Sequence, residues 1–256
     1  MPAIHPSAAQ GYSEKAETYD RGRPDYPAAL DDWLHDALGV GPCAKVVDLG
    51  AGTGKFTRRL LATGANVIAV EPVPAMKEIL ERAAPHADAK LGTAQDIPLE
   101  EETVDAVVCA QSFHWFASDA ALSEIRRVLK PGGILGLIWN VRDERTDWVS
   151  ALTSIMAPFE GETPRYHHGT WRRLFPASGF GALQERHFPF GHIGSPEQVI
   201  IDRVLSVSFV AALAPAEQHR IEVQLKELIQ ATPSLSGHDE VTFPYETVAC
   251  CCVKTG

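Results

Sequence analysis

The stretch Val46-Val-Asp-Leu-Gly-Ala-Gly-Thr-Gly-Lys-Phe-Thr57 decides the fold. An apolar run stops at three glycines two residues apart, Gly50, Gly52 and Gly54, and a helical pattern begins behind them. A short apolar run bounded by turn residues is the signature of a strand buried on both faces. Open parallel sheets bind ligands outside the carboxyl ends of their strands, where strand order reverses. Glycines there permit positive φ and let a ligand approach the peptide without meeting a Cβ. Three alternating glycines are more than a bare strand–helix turn needs, so this loop is predicted to hold a ligand.

Outward from the loop, strands and helices alternate. Helices are expected over residues 8–20, 27–39, 54–62, 74–83 and 119–129, the last with Ser118 as N-cap, and buried strands over 44–49, 66–70, 87–91, 104–110 and 134–139. Such repeats imply a parallel sheet with helices on both sides. Past Asn140 the rhythm is lost. A helix over 144–157, a polar His-rich loop over 158–169, an edge strand over 183–190, a helical region over 195–231 interrupted at Ala214-Pro215, and a last strand over 245–253 follow. The expected architecture is a parallel core with a helical insert before its final strand.

Three cofactors compete for the glycine loop. A phosphate-binding loop of the form G-x-x-x-x-G-K-[ST] fails twice, because Leu49 occupies the first glycine position and Phe56 the hydroxyl position. The dinucleotide fingerprint G-x-G-x-x-G is missed by one residue, since Lys55 stands where the third glycine belongs. S-adenosylmethionine, a nucleoside with an amino-acid tail and no pyrophosphate, is the third. Glu71 closes the second apolar run 23 residues after Asp48; a carboxylate there can accept from both ribose hydroxyls, which serves NAD equally well.

Residues 46–54 resemble the first motif of class I methyltransferases, hydrophobic-hydrophobic-[DE]-x-G-x-G-x-G, and Gly92-Thr-Ala-Gln-Asp-Ile-Pro98 resembles that family's adenine loop. Residues 104–116 resemble its fourth strand and following loop, and Leu129-Lys-Pro-Gly-Gly133 a turn familiar in its small-molecule branch. Gln111-Ser-Phe-His-Trp-Phe116 and Tyr19-Asp-Arg-Gly-Arg-Pro-Asp-Tyr-Pro27 look like the trans-aconitate methyltransferase-like group. The match covers roughly residues 8–140. It implies a Rossmann-like, doubly wound sheet of seven strands, mostly parallel with an antiparallel last strand, plus a helical insert. Residues 1–256 would form one domain: cofactor-covering helices over 1–40, the cofactor-binding core over 41–140, and substrate-side elements over 141–256 with the insert at about 195–231.

The resemblance further implies S-adenosylmethionine held by Tyr19, Arg23, Asp48, Gly50, Ala51, Gly52, Thr53, Gly54, Glu71, Pro72, Met76, Thr93, Ala94, Gln95, Asp96, Ile97, Ala110, Gln111, Ser112 and Trp115. Asp48 would serve the cofactor's amino-acid end, Glu71 its ribose, and Asp96 with Ile97 its adenine; Tyr12 could help close the pocket. Phe113, Trp115, Phe116 and Trp139 could enclose the reacting centre, and Phe113, His114, Trp139 and Arg142 are the candidate substrate residues. His114 is the candidate general base should the acceptor be a hydroxyl or amine. A carboxylate acceptor is already ionised and needs positioning only; Arg23, Arg142 or the pair Arg172–Arg173 could hold an anion. The chain lacks the [DNS]-P-P-[YF] pattern of base-amine methylation, having Ala110-Gln-Ser-Phe113 instead. Methyl transfer to a small molecule, with an O-linked product favoured, is the expected activity; an NAD-dependent oxidoreductase and a catalytically silent cofactor-binding protein are the alternatives.

Composition agrees. In 256 residues, Lys plus Arg number 23 against 33 Asp plus Glu, a formal charge of −10, which argues against nucleic acid or an anionic membrane as partner. A chain of this length can bury roughly 75% of its unfolded surface without staples. Five cysteines, three adjacent at Cys250–Cys252, fit neither a disulfide framework nor a zinc site and read as small packed hydrophobes. His167–His168 lacks a third ligand at a persuasive spacing, so no metal is expected. With no signal-peptide pattern and no apolar run of roughly 18 residues, a cytoplasmic monomer or homodimer is expected.

Overall fold

The computed structural model describes residues 23–255. The helix expected over 8–20, with Tyr12 and Tyr19, lies outside the described residues. From Arg23 onward the elements are α1 (Ala29–Leu38), β1 (Lys45–Leu49), α2 (Lys55–Ala62), β2 (Asn66–Glu71), α3 (Pro74–Ala83), β3 (Asp88–Leu91), β4 (Val104–Ala110), α4 (Asp119–Val128), β5 (Leu129–Arg142), α5 (Asp147–Glu160), β6 (Gln184–Gly194), α6 (Pro215–Ala231) and β7 (Val241–Val253). The sheet order is β3-β2-β1-β4-β5-β7-β6; β1 to β5 pair in parallel, and β7 runs antiparallel between β5 and β6. Six strands thus share one direction. The chain winds outward from β1 to β3, returns, and winds the other way through β4. The crevice between the carboxyl ends of β1 and β4 is therefore the switch point at which such sheets take ligands.

Both faces of the sheet are covered. On one, Val47, Leu49, Val107 and Cys109 pack with Leu122 and Ile125 of α4 and with Trp139 and Trp171. On the other, Val46, Ala106 and Val108 pack with Leu30, Trp33 and Leu34 of α1 and Phe56 and Leu60 of α2. The adjacent cysteines follow the strand alternation, Cys250 and Cys252 joining the first face and Cys251 the second. They are buried free thiols, as the composition suggested.

Strand and helix boundaries fall within a few residues of expectation, with physical causes for the differences. The first helix starts at Ala29, not Pro27, because the Pro27 carbonyl is engaged by Leu30 N–H and by Arg59 Nη2. Residues 130–133 bulge from β5, which the sequence analysis begins only at 134; the ladder pairs Val104 with Leu129 and then Ala106 with Ile134. The helix expected to begin at 144 begins at Asp147, since Asp143 and Arg145 close a local ion pair at 2.7 Å. It then runs through Pro158 to Glu160, where a proline costs one ladder bond near the end.

The region over 195–231 departs most. It is a π-helical turn (Glu197–Asp202), two short α-helical turns (Arg203–Leu205 and Ser208–Ala211), and then α6 with Pro215 in its first turn. Extended backbone at Val207 separates the short turns. Val199, Ile200, Val204, Phe209 and Ile221 form a second core with Trp148 and Leu152 of α5 and Phe243 and Tyr245 of β7. The insert thereby stands at the carboxyl end of β5. No helix among the described residues is long and apolar enough to cross a membrane.

Candidate active site

The glycine loop is shaped by backbone geometry that side chains would forbid. Gly50, Gly52 and Gly54 have φ of 73°, 59° and 84°, the left-handed region. A Cβ on Gly50 would lie 2.7 Å from Cβ of Ser112, whose hydroxyl donates to the Leu49 carbonyl at 2.7 Å and so clasps β4 to β1. A Cβ on Gly52 would meet nothing nearer than Met76 Cε at 3.5 Å, leaving the peptide open to the cleft. Gly54 instead lets α2 approach α3, its Cα facing Leu80 and Ala84.

Two carboxylates sit beneath the loop. Glu71 accepts from Gly52 N–H at 2.8 Å and Val73 N–H at 3.0 Å, one bond to each oxygen. A carboxylate offers about four lone-pair sites, so each oxygen keeps capacity for a ribose hydroxyl. Burial raises the Glu71 pKa, opposed by those two amides. Asp48 is buried and accepts from Thr57 Oγ1 at 2.6 Å; burial, with the nearby Glu71 charge adding and Thr57 opposing, pushes its pKa up to about 7.

The cleft above the loop is lined by Arg23, Asp48, Gly50, Ala51, Gly52, Thr53, Glu71, Pro72, Met76, Thr93, Ala94, Gln95, Ala110, Gln111, Ser112 and Trp115, all anticipated from the sequence. Gln111 enters it with φ of 58°, uncommon for a non-glycine and held by its N–H bond to the Ile138 carbonyl. Several expectations need correction. Asp96 turns back on Thr93 through paired backbone bonds, and Ile97 is buried core; neither lines the cleft, and Thr93 to Gln95 stand there instead. Phe113 is fully buried against Phe116 and Phe175, so it cannot touch a substrate, whereas Phe116 lines the cleft. Arg172 lies over the Trp171 ring and pairs with Glu185 rather than facing the cleft.

Trp139 is likewise buried, packed at a tilt against Trp171 and Tyr166, which stack on each other. Its indole N–H donates to His114 Nδ1 at 3.1 Å. An indole nitrogen only donates, which fixes the neutral His114 tautomer with the proton on Nε2. Burial, then the charges of Arg165 and Arg23, push the His114 pKa down to about 3. The ring is thus a neutral donor, with no free lone pair for the general-base role considered above.

Near it gather four arginines, of which Arg23 and Arg142 were anticipated from the sequence and Arg165 and Arg203 were not. Arg203, buried where the insert meets the cleft, donates through Nε to the Tyr245 hydroxyl at 3.0 Å, and its buried Nη1 finds no hydrogen-bond partner among the described residues. Arg165 lies 5.4 Å over the Phe209 ring, Arg142 contacts Met156 Sδ at 3.6 Å, and Arg23 donates to the Ser206 carbonyl at 3.1 Å. Burial lowers the pKa of Arg165 and of Arg203 to about 10, with repulsion among the four guanidiniums adding; burial lowers that of Arg142 as well. Arg23, Arg203 and Asn140 line the cleft directly. A charged residue inside Val199-Ile-Ile-Asp-Arg-Val204 was the available signal for Arg203; Arg165, in a polar loop, offered none.

The residues present fit a nucleoside sulfonium: bare peptide at Gly52, a ribose-height carboxylate, and buried hydroxyls of Thr53 and Thr93 without partners among the described residues. The family model of the methyltransferase domain matches residues 47–137. An uncharacterized methyltransferase-like protein of Schizosaccharomyces pombe is 38% identical over 232 residues, covering 90% of each chain. An uncharacterized methyltransferase of Mycobacterium tuberculosis is 39% identical over 236 residues, covering 92% of this chain and 91% of its own. Among solved structures, a Haemonchus contortus phosphoethanolamine N-methyltransferase in complex with S-adenosylhomocysteine shares the fold at a TM-score of 0.60 and 14% identity, over 100% of this chain and 61% of that one. These relatives set aside the oxidoreductase and silent-binder alternatives. The chain belongs to the class I methyltransferases, enzymes of Rossmann-like fold that use S-adenosylmethionine.

Proposed function

We propose that this methyltransferase esterifies a small anionic acceptor, placing the methyl group on a carboxylate oxygen. The observation that carries the reading is the convergence of Arg23, Arg142, Arg165 and Arg203 beside the cofactor cleft in a chain of net charge −10. Arg203 Nη1 is buried with no hydrogen-bond partner among the described residues, which is costly, and an anionic ligand there offsets that cost. A carboxylate is a nucleophile at neutral pH without losing a proton, and the neutral His114 N–H suits it as a donor. The cofactor, when bound, supplies the electrophilic methyl group. The chain's part is to orient the acceptor oxygen, with Trp115 and Phe116 excluding water at the cleft.

Cofactor contacts fall to Arg23, Asp48, the 50–54 loop, Glu71, Pro72, Met76, Thr93–Gln95 and 110–112 with Trp115. Residues 1–256 act as one domain in this reading, with the insert of about 195–231 supplying the acceptor-side wall through Arg203. Incubation with methyl-labelled cofactor and panels of small carboxylic acids, alcohols and amines tests it. Label released as methanol by mild base, from acids only, is expected. Label in a base-stable ether or amine overturns it.

A further inference from the structure

Beside the acceptor side lies a group that sequence spacing hides. Glu160, the last residue of α5, and His167 and His168 on the 3-10 turn Tyr166–His168 meet across a loop. Both Nε2 atoms stand 3.0 Å from the same carboxylate oxygen, Oε1 of Glu160. The three ligand atoms all lie within 4.8 Å of one another. Imidazole nitrogens and carboxylate oxygens bind zinc-like ions at about 2.0–2.2 Å, which sets neighbouring ligand atoms about 2.9–3.4 Å apart in tetrahedral or octahedral geometry. Two of the three spacings, at 3.0 Å, equal an edge of such a polyhedron. As they stand they are N–H···O contacts to Oε1, so an ion displaces the ring protons and the side chains turn to aim their lone pairs at it.

The geometry points to a divalent transition-metal site formed by Glu160 Oε1, His167 Nε2 and His168 Nε2, with its remaining coordination positions open to solvent or ligand. Nitrogen-rich donors select zinc, cobalt, nickel or iron(II) over calcium and magnesium, which want oxygen ligands. Neutral histidines with one carboxylate give the donor set a charge of −1. Arg165 opposes a dication, but its Nε lies nearest the other oxygen, Oε2, at 3.8 Å, so its charge sits on the far side of the carboxylate from Oε1. His187 makes a useful contrast: Glu246 and Glu185 approach opposite nitrogens of its ring, at 2.8 Å each, and cannot converge on one ion.

The site is independent of the acceptor assignment, because it rests on these three side chains alone. Its consequence is local: an ion would tie the C-terminus of α5 to the segment carrying Arg165, Tyr166 and Trp171. The test is a cobalt(II) titration of the full, chelator-treated chain, followed by ligand-field absorption and calorimetry. One equivalent is expected to bind the wild type, with affinity weakened at least tenfold in Glu160→Gln and in the His167→Asn/His168→Asn pair, while S-adenosylmethionine affinity is unchanged in both. No stoichiometric binding, or equal binding by the variants, overturns the site. Should a variant misfold, X-ray absorption of the zinc-loaded wild type decides instead: two imidazole shells are expected, and a shell without imidazole overturns it.

Discussion

Gly50 cannot carry a side chain, for reasons of both torsion and space. Its φ of 73° disfavours any Cβ, and that Cβ would stand 2.7 Å from Ser112 Cβ across the β1–β4 junction. Gly50→Ala is therefore expected to destabilise by about 1–3 kcal/mol, read by chemical denaturation, and to weaken cofactor binding. Glu71 has a separable role. Gln at 71 keeps an acceptor for Gly52 or Val73 and loses the charge, so cofactor affinity should fall about 10- to 100-fold, in line with about 1.5–3 kcal/mol for a charge-assisted bond. Calorimetric titration of the folded variant checks it, with some loss of melting temperature expected because one of the two amides loses its acceptor; unaltered affinity would remove Glu71 from the ribose role. His114 is a donor throughout the physiological range, its pKa lying at about 3. The pH profile of kcat/KM should then contain no limb that belongs to His114, any limb near pH 7 arising from Asp48; a limb near pH 6–7 that vanishes in His114→Gln would restore the general-base reading.

Among elements, α4 shows a boundary written in local chemistry. Ser118 Oγ accepts from Ala121 N–H at 3.2 Å, satisfying one of the helix's orphan donors. Ser118→Ala should cost about 1 kcal/mol in urea denaturation, and no measurable loss would mean solvent replaces the cap. The insert shows the opposite case. Ile200, Val204 and Phe209 recur at near-helical spacing, yet the chain there folds as a π-helical turn and short α-helical turns. Burial of consecutive side chains Val199, Ile200 and Ile201 against α5 and β7 outweighs regular helix geometry. That irregular winding also brings Arg203 to the cleft; π-helical turns often occur at such functional sites.

At the scale of the molecule, buried ionisable groups tie stability to pH. Asp48 moves from its ordinary 3.8 to about 7 in the folded chain. The folded state thus holds a proton that the unfolded state has released between about pH 4 and 7, so Asp48's contribution is full below pH 4 and lost as pH rises through 7. His114 and His192 move down from 6.5, to about 3 and about 4, chiefly by burial. Their contribution is present above pH 6.5 and lost as pH falls through those values, which masks Asp48 in the wild type. Asp48→Asn isolates it: the variant's stability relative to wild type should rise between pH 4.5 and pH 8. A difference that stays constant with pH would place Asp48 outside this account.

The sequence by itself determined the sheet core, the glycine loop, Glu71 and the presence of a last strand, because these are set by local torsion and by burial periodicities of nearby residues; the antiparallel sense of that strand was implied by the family resemblance alone. Val104–Ala110 and Pro74–Ala83 were legible residue for residue. Only the tertiary structure decided the acceptor side. Arg23, Arg142, Arg165 and Arg203 come from four separate segments, and Glu160 meets His167 and His168 only when a helix end and a 3-10 turn fold together. Nor could the sequence say that Trp139 donates to His114, since a hydrogen bond between residues 25 apart depends on strand packing. Periodicity records which side of an element is buried; it carries no information about which distant charges that burial brings face to face.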